Sequence, residues 1–194
     1  MIRIALVVAT LWMPVMATAQ EHGHAPYAGM QAREIKSLSE ADLDELRRGA
    51  GWGLALPAEL NGVPGPAHLL ELSEEIGLSA AQVTALETIF DEMQQEARAA
   101  GQRFIAAEQA LEAAFRAGGL DRERLGQLID AAAEARAELR LVHLSRHLET
   151  PPLLSEAQIA RYNELRGYGA ADPCAAVPEG HNPEMWRRHN NCGD

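Results

Sequence analysis

Apolar residues recur through the middle of the chain at alternating steps of three and four: Val83, Leu86, Phe90, Met93, Ala97, Ala100, Phe104, Ala107, Leu111 and Ala114. That spacing is a heptad seam held over about four repeats, and it predicts one long helix with a single buried stripe. Ser79 stands where an N-cap belongs. Gly118-Gly119 interrupts the pattern, Asp121 is placed to cap a return helix, and the seam resumes as Leu125, Leu128, Ala132, Ala135, Leu139 and Val142. Two long helices joined by a tight glycine turn pack antiparallel as a hairpin. Alanine at many seam positions permits close approach but buries little apolar area per layer, so the pair alone is short of core. Cover is expected from shorter helices, from a second copy of the chain, or from both.

The shorter elements carry their own punctuation. Ser37-Leu38-Ser39-Glu40 reads as a capping box opening a short helix that fades across Gly49–Gly53. Pro64-Gly65-Pro66 breaks the chain, and His68 to Ile76 reads as one short helix stopped by Gly77. Pro151-Pro152 ends the return helix, and Ser155 caps a last one with Ile159, Tyr162 and Leu165 on one face. No alternating β-branched run appears. The fold class is therefore all-α: a long antiparallel helical hairpin with short accessory helices, an irregular N-terminal arm and a C-terminal tail. The expected divisions are a leader at 1–19, an arm with a short helix at 20–62, the hairpin domain at 63–168 and an irregular tail at 169–194.

Residues 1–19 carry Arg3 as their only charge, then an apolar run, then Ala17-Thr18-Ala19, a small-x-small cleavage signature. The run is short for a membrane span, so a cleaved secretory signal and export to the periplasm are expected, with an uncleaved anchor as the other reading. The only cysteines are Cys174 and Cys192. In an oxidising compartment such a pair usually forms a disulfide, worth roughly 3 kcal/mol for a loop near that length. Metal–thiolate ligation with His181 and His189, which lie inside the same loop, is the competing reading. The chain carries a net charge of −11, and no basic stripe forms, so nucleic acid is not expected as a partner.

The signature Leu-Ser-x-x-Gln occurs twice: as Leu78 to Gln82 opening the first long helix, and as Leu154 to Gln158 opening the last. Each copy supplies a leucine staple, a Ser N-cap and a Gln at N3 that can complete a capping box. Two copies flanking a long α-hairpin in an exported chain resemble the LTxxQ-type periplasmic family, which includes the Spy/CpxP chaperones and related heavy-metal sensors. Ser replaces the usual Thr in both copies and keeps the cap chemistry. The resemblance covers about 66–168. The chaperone branch implies a dimeric helical cradle that shields unfolded clients without ATP. The sensor branch implies a hairpin homodimer that binds a transition metal through histidines and a carboxylate, then relays occupancy to a membrane-bound signalling partner. Net acidity departs from a basic client cradle.

Seven histidines is a generous number for 194 residues. His143 and His147 are spaced i, i+4, which puts two imidazoles on one helix face about 5–6 Å apart at Cβ and allows a joint grip on Zn, Cu, Ni or Co. An exposed pair on the helix flank is the other reading, since neither lies on the seam. The sensor resemblance implies ligands from an early helix and from the return helix; here these are His68 and Glu71 with His143 and His147. His22-Gly23-His24 near the processed N-terminus is a further candidate chelator. Met93 fits the core seam. There is no His-Glu-x-x-His, no nucleophile elbow and no phosphate-binding loop, and the one Glu-x-x-His, Glu21 to His24, lies in the arm; no enzyme is expected. The holdase alternative expects an exposed apolar face lined by Phe104, Leu111 and Phe115.

Overall fold

A computed structural model describes residues 27–168, together with 174, 177, 183–189 and 192. The leader at 1–19 and the His22/His24 pair lie outside the described residues, as does His181. The described residues form eight α-helices and no strand: α1 (Glu40–Arg48), α2 (Leu56–Glu59), α3 (Pro66–Glu71), α4 (Ser73–Ile76), α5 (Ala80–Ala117), α6 (Arg122–Glu149), α7 (Glu156–Leu165) and α8 (Pro183–His189), with 3₁₀ turns at Met30–Ala32 and Pro151–Leu153. All-α architecture built on a long hairpin is what the seam predicted.

The turn between α5 and α6 is made by Gly118 and Gly119, both at positive φ (73° and 71°), a region L-residues avoid. Asp121 then accepts a hydrogen bond from the Arg124 backbone N–H, capping α6. Every seam position of α6 from Leu128 to Leu139 is buried. Because α5 has 38 residues and α6 has 28, the first turns of α5 run past the end of α6 by about 15 Å at 1.5 Å per residue. That overhang is covered by α3, α4 and α7 in a cluster of Leu69, Ile76, Leu86 and Tyr162.

A second cluster supplies the core that the alanine-rich hairpin lacks. Ile35, Leu38, Leu43, Leu46 and Leu54 lie against Ala97, Ala100, Phe104, Ile105, Ala135 and Leu139. The small residues of α5 are what admit them: a Cβ on Gly101 would stand 2.6 Å from the Leu46 carbonyl oxygen. Trp52 stacks on Phe104 with ring centroids 5.6 Å apart, and its indole N–H donates to Asp42 at 2.9 Å. The N-terminal arm is thus a third layer on the hairpin.

Two local expectations change. The capping box of α1 uses Ser39 and Asp42, two residues along from Ser37 and Glu40; Ser37 instead donates its hydroxyl to Glu108 at 2.6 Å. His68 to Ile76 is two short helices, broken at Leu72 (φ −106°, ψ 19°), which lets α4 turn toward α7. Cys174 and Cys192 are joined in a disulfide with Cα atoms 5.3 Å apart, so neither thiol is a metal ligand here. No helix among the described residues is long and apolar enough to cross a membrane.

Candidate metal centre

Where α6 leaves the three-layer region, its outer face is covered by the loop Val63–Pro66 and by α2 and α3. This forms an open cleft of about 590 Å³ whose walls include Glu59, His68, Glu71, His143 and His147, with Arg48, Trp52, Leu56, Phe90, Met93 and Gln94 also lining it. All four residues singled out from sequence line this one cleft. His143 and His147 are 3% and 4% exposed, so the reading of an exposed flank pair is overturned. The loop Val63–Pro66, more than 75 residues away, covers His147, and the backbone at Ala50 meets His143. A Cβ on Gly65 would lie 2.5 Å from His147 Cε1, so only glycine lets the loop close on the ring.

The imidazoles share an arrangement. His147 Nδ1 lies 2.8 Å from the Val63 carbonyl oxygen; a carbonyl can only accept, so Nδ1 is the donor, and in the neutral ring the lone pair is on Nε2. His68 Nδ1 lies 3.0 Å from Glu59 Oε1, and the same logic makes Nδ1 the donor there. His143 Nε2 is buried with no hydrogen-bond partner, while a hydrogen bond to the Ala50 backbone engages the ring. Burial, then the neighbouring His147, hold the His143 imidazole below its ordinary pKa; the Ala50 contact opposes them. His143 is therefore neutral at neutral pH, with the Nε2 lone pair buried and unpartnered.

Glu59 is the residue that sequence reasoning missed. It is 8% exposed, and no spacing marks it, since it ends a four-residue helix in the arm. Burial raises its pKa, but hydrogen bonds from His68 and Tyr162, with the charges of His68 and His147, outweigh that and leave it lowered, so Glu59 is ionised. Its two oxygens divide their work. Oε1 takes His68, and Oε2 accepts the Tyr162 hydroxyl at 2.7 Å. His147 Nε2 stands 3.7 Å from Oε1, beyond hydrogen-bond reach. Glu71 lines the cleft from the exposed face of α3. Among the described residues, no three His, Cys, Asp or Glu side chains already stand as ligands about one point.

A family model described as heavy-metal resistance matches residues 52–161, more than half of the chain. The chain belongs to the heavy-metal resistance family. It is thereby a member of the LTxxQ-type, Spy/CpxP-like group, and the matched stretch holds both Leu-Ser-x-x-Gln motifs and Glu59, His68, Glu71, His143 and His147. It leaves out α1, so much of the third layer lies outside what the family model describes. No curated protein and no solved structure matches the chain. Of the three residues expected to line a holdase face, Phe104 is 4% exposed beneath Trp52, Leu111 is half-buried and Phe115 is exposed.

Proposed function

We propose that this is a periplasmic, metal-responsive binding protein that captures a transition-metal ion, Zn, Cu, Ni or Co, between α3 and α6. The observation that carries the reading is the common arrangement of three imidazoles in one cleft. Each has its ring engaged by an acceptor or by backbone, Glu59 for His68, Val63 for His147 and Ala50 for His143, and His143 leaves its Nε2 buried without a partner. Metal-ligating histidines show this pattern, because the second hydrogen bond fixes ring and tautomer and raises the basicity of the ligating nitrogen. An unpartnered buried nitrogen is otherwise a cost of about 1–3 kcal/mol, which a bound cation would remove.

His68, His143 and His147 are the proposed nitrogen ligands, Glu71 the carboxylate at the mouth, and Glu59 the orienting carboxylate. The metal supplies a charge that ties the early helix to the return helix; binding closes α3 onto α6, since the donors do not yet converge. The family membership, the disulfide and the apolar leader support export and a role in metal defence or sensing. The test is calorimetric titration of the metal-free protein with each of the four ions. The reading expects a His143→Ala/His147→Ala variant to bind at least tenfold more weakly than the parent; equal binding by the two proteins, or none by the parent, refutes it.

A further inference from the structure

The carboxylate that orients His68 is itself held from the far side of the molecule. Tyr162 is fully buried on α7, 103 residues from Glu59 in sequence, and its hydroxyl donates to Glu59 Oε2. The next residue, Asn163, donates its side-chain amide to the Gly62 carbonyl at 3.2 Å, so α7 grips both ends of the Glu59–Gly62 segment. At its other end α7 is fastened to α5 through Gln158 and Gln82. A polar chain therefore runs from the cleft outward: His68 Nδ1–H to Glu59, and Tyr162 O–H to the same carboxylate.

We infer that Tyr162 is a positioning residue for the metal centre, and that α7 is the element in which metal occupancy is registered. This rests on the metal-binding reading above. A carboxylate held at both oxygens is restricted in its rotation, so the Tyr162 hydroxyl helps set where Glu59 Oε1 stands and with it the plane of His68. The coupling runs both ways by linkage. An ion that pulls His68 toward α6 draws on the Glu59–Tyr162 bond, and loosening that bond weakens the grip on the ion. Orienting partners of metal ligands typically change affinity by about 10–100-fold when removed. The cluster of Leu69, Ile76 and Leu86 around the Tyr162 ring gives α7 a packed seat, so a shift of the hydroxyl moves the helix and not the side chain alone.

The experiment uses the full chain and Tyr162→Phe, which keeps the ring in its apolar seat, with Glu59→Gln as a second variant that keeps the shape and removes the charge. Co²⁺ serves as the probe for its visible absorption, and amide hydrogen exchange is followed with and without it. In the parent, Co²⁺ is expected to slow exchange in α7 as well as in α3 and α6. In Tyr162→Phe, affinity is expected to fall about tenfold or more, the cobalt spectrum at saturation to change, and the metal effect on α7 to vanish while that on α6 persists. Unchanged affinity and spectrum in both variants overturns the inference, as does exchange in α7 that ignores the metal in the parent. Failure of the parent to bind Co²⁺, Zn²⁺, Cu²⁺ or Ni²⁺ at all instead overturns the metal-binding reading and this inference with it.

Discussion

Gln82 and Gln158 face each other across the base of the hairpin and exchange side-chain amides. Gln82 Nε2 donates to Gln158 Oε1 at 2.9 Å, and Gln158 Nε2 donates to Gln82 Oε1 at 3.1 Å. Each oxygen also accepts the backbone N–H of its own N-cap serine, Ser79 or Ser155, and each amide reaches a helix-end carbonyl, Leu153 for Gln82 and Gly77 for Gln158. The repeated motif is thus two capping boxes locked head to head, which is why the pair matters more than either copy. Gln82→Ala and Gln158→Ala are each expected to lower stability by about 1–2 kcal/mol in urea unfolding. Together they should cost less than the sum, with a coupling of about 0.5–1 kcal/mol. Strict additivity would show the amide pair to be a crowded coincidence.

The arm is core, and truncating it should behave accordingly. Leu43 and Leu46 are each 1% exposed and sit over the alanine stretch of α5. Leu43→Ala removes buried methyl groups from a face that α5 cannot refill, because Ala97 and Ala100 offer nothing to move into the gap. The expected cost is about 2–5 kcal/mol, read from the shift in urea midpoint at constant slope. A loss under about 1 kcal/mol would mean that the arm is only laid on the hairpin.

The parts of this fold that were legible in the sequence are those governed by local period. The seam from Val83 to Val142, the Gly118-Gly119 turn, the Asp121 cap and both glutamine boxes follow from spacing and cap chemistry, and the structure repeats them. What local pattern cannot carry is cover from a distance. His143 and His147 lie off the seam, so the hairpin alone would leave them bare; the loop at Val63–Pro66 covers His147, and the Ala50 backbone meets His143. Glu59 belongs to a segment with no periodicity, and its partners His68 and Tyr162 are 9 and 103 residues away. The shift of the α1 cap from Ser37 to Ser39 has a similar cause: Ser-x-x-Glu and Ser-x-x-Asp overlap in register, and Glu108 on α5 takes Ser37 away.

Gly65 should prove to be a metal-centre residue by way of space alone. Its φ of −104° suits any residue, so Gly65→Ala strains no backbone. The added methyl would meet the His147 ring at 2.5–2.6 Å, and the ring is pinned through Nδ1 to Val63, the second residue before Gly65. Ring and loop must therefore part. The variant is expected to fold, to lose about 1–3 kcal/mol of stability from overpacking, and to bind metal at least tenfold more weakly by calorimetry. Parental affinity in Gly65→Ala would show that His147 is free to ligate from another position.

The two shifted groups of the cleft fix how the metal-free protein should respond to acid. His143 is held below its ordinary value of 6.5 by burial and by His147, so in the window beneath 6.5 the unfolded chain takes up a proton that the folded one refuses. Stability then rises with pH through that window and levels off above it. Glu59 is held below its ordinary 4.5 despite its burial, by His68 and Tyr162; its contribution is present above 4.5 and is lost as pH falls from there toward the folded value. Both terms carry the same sign, so acidification should weaken the fold in two steps. Urea midpoints measured from pH 8 to pH 5.5 are expected to decline, and His143→Leu, which removes the titrating ring from both states, should flatten that upper limb. Glu59→Gln should leave the upper limb in place and flatten the fall below pH 4.5. An upper limb that survives His143→Leu would assign it to another group and would remove the support for a depressed His143 pKa.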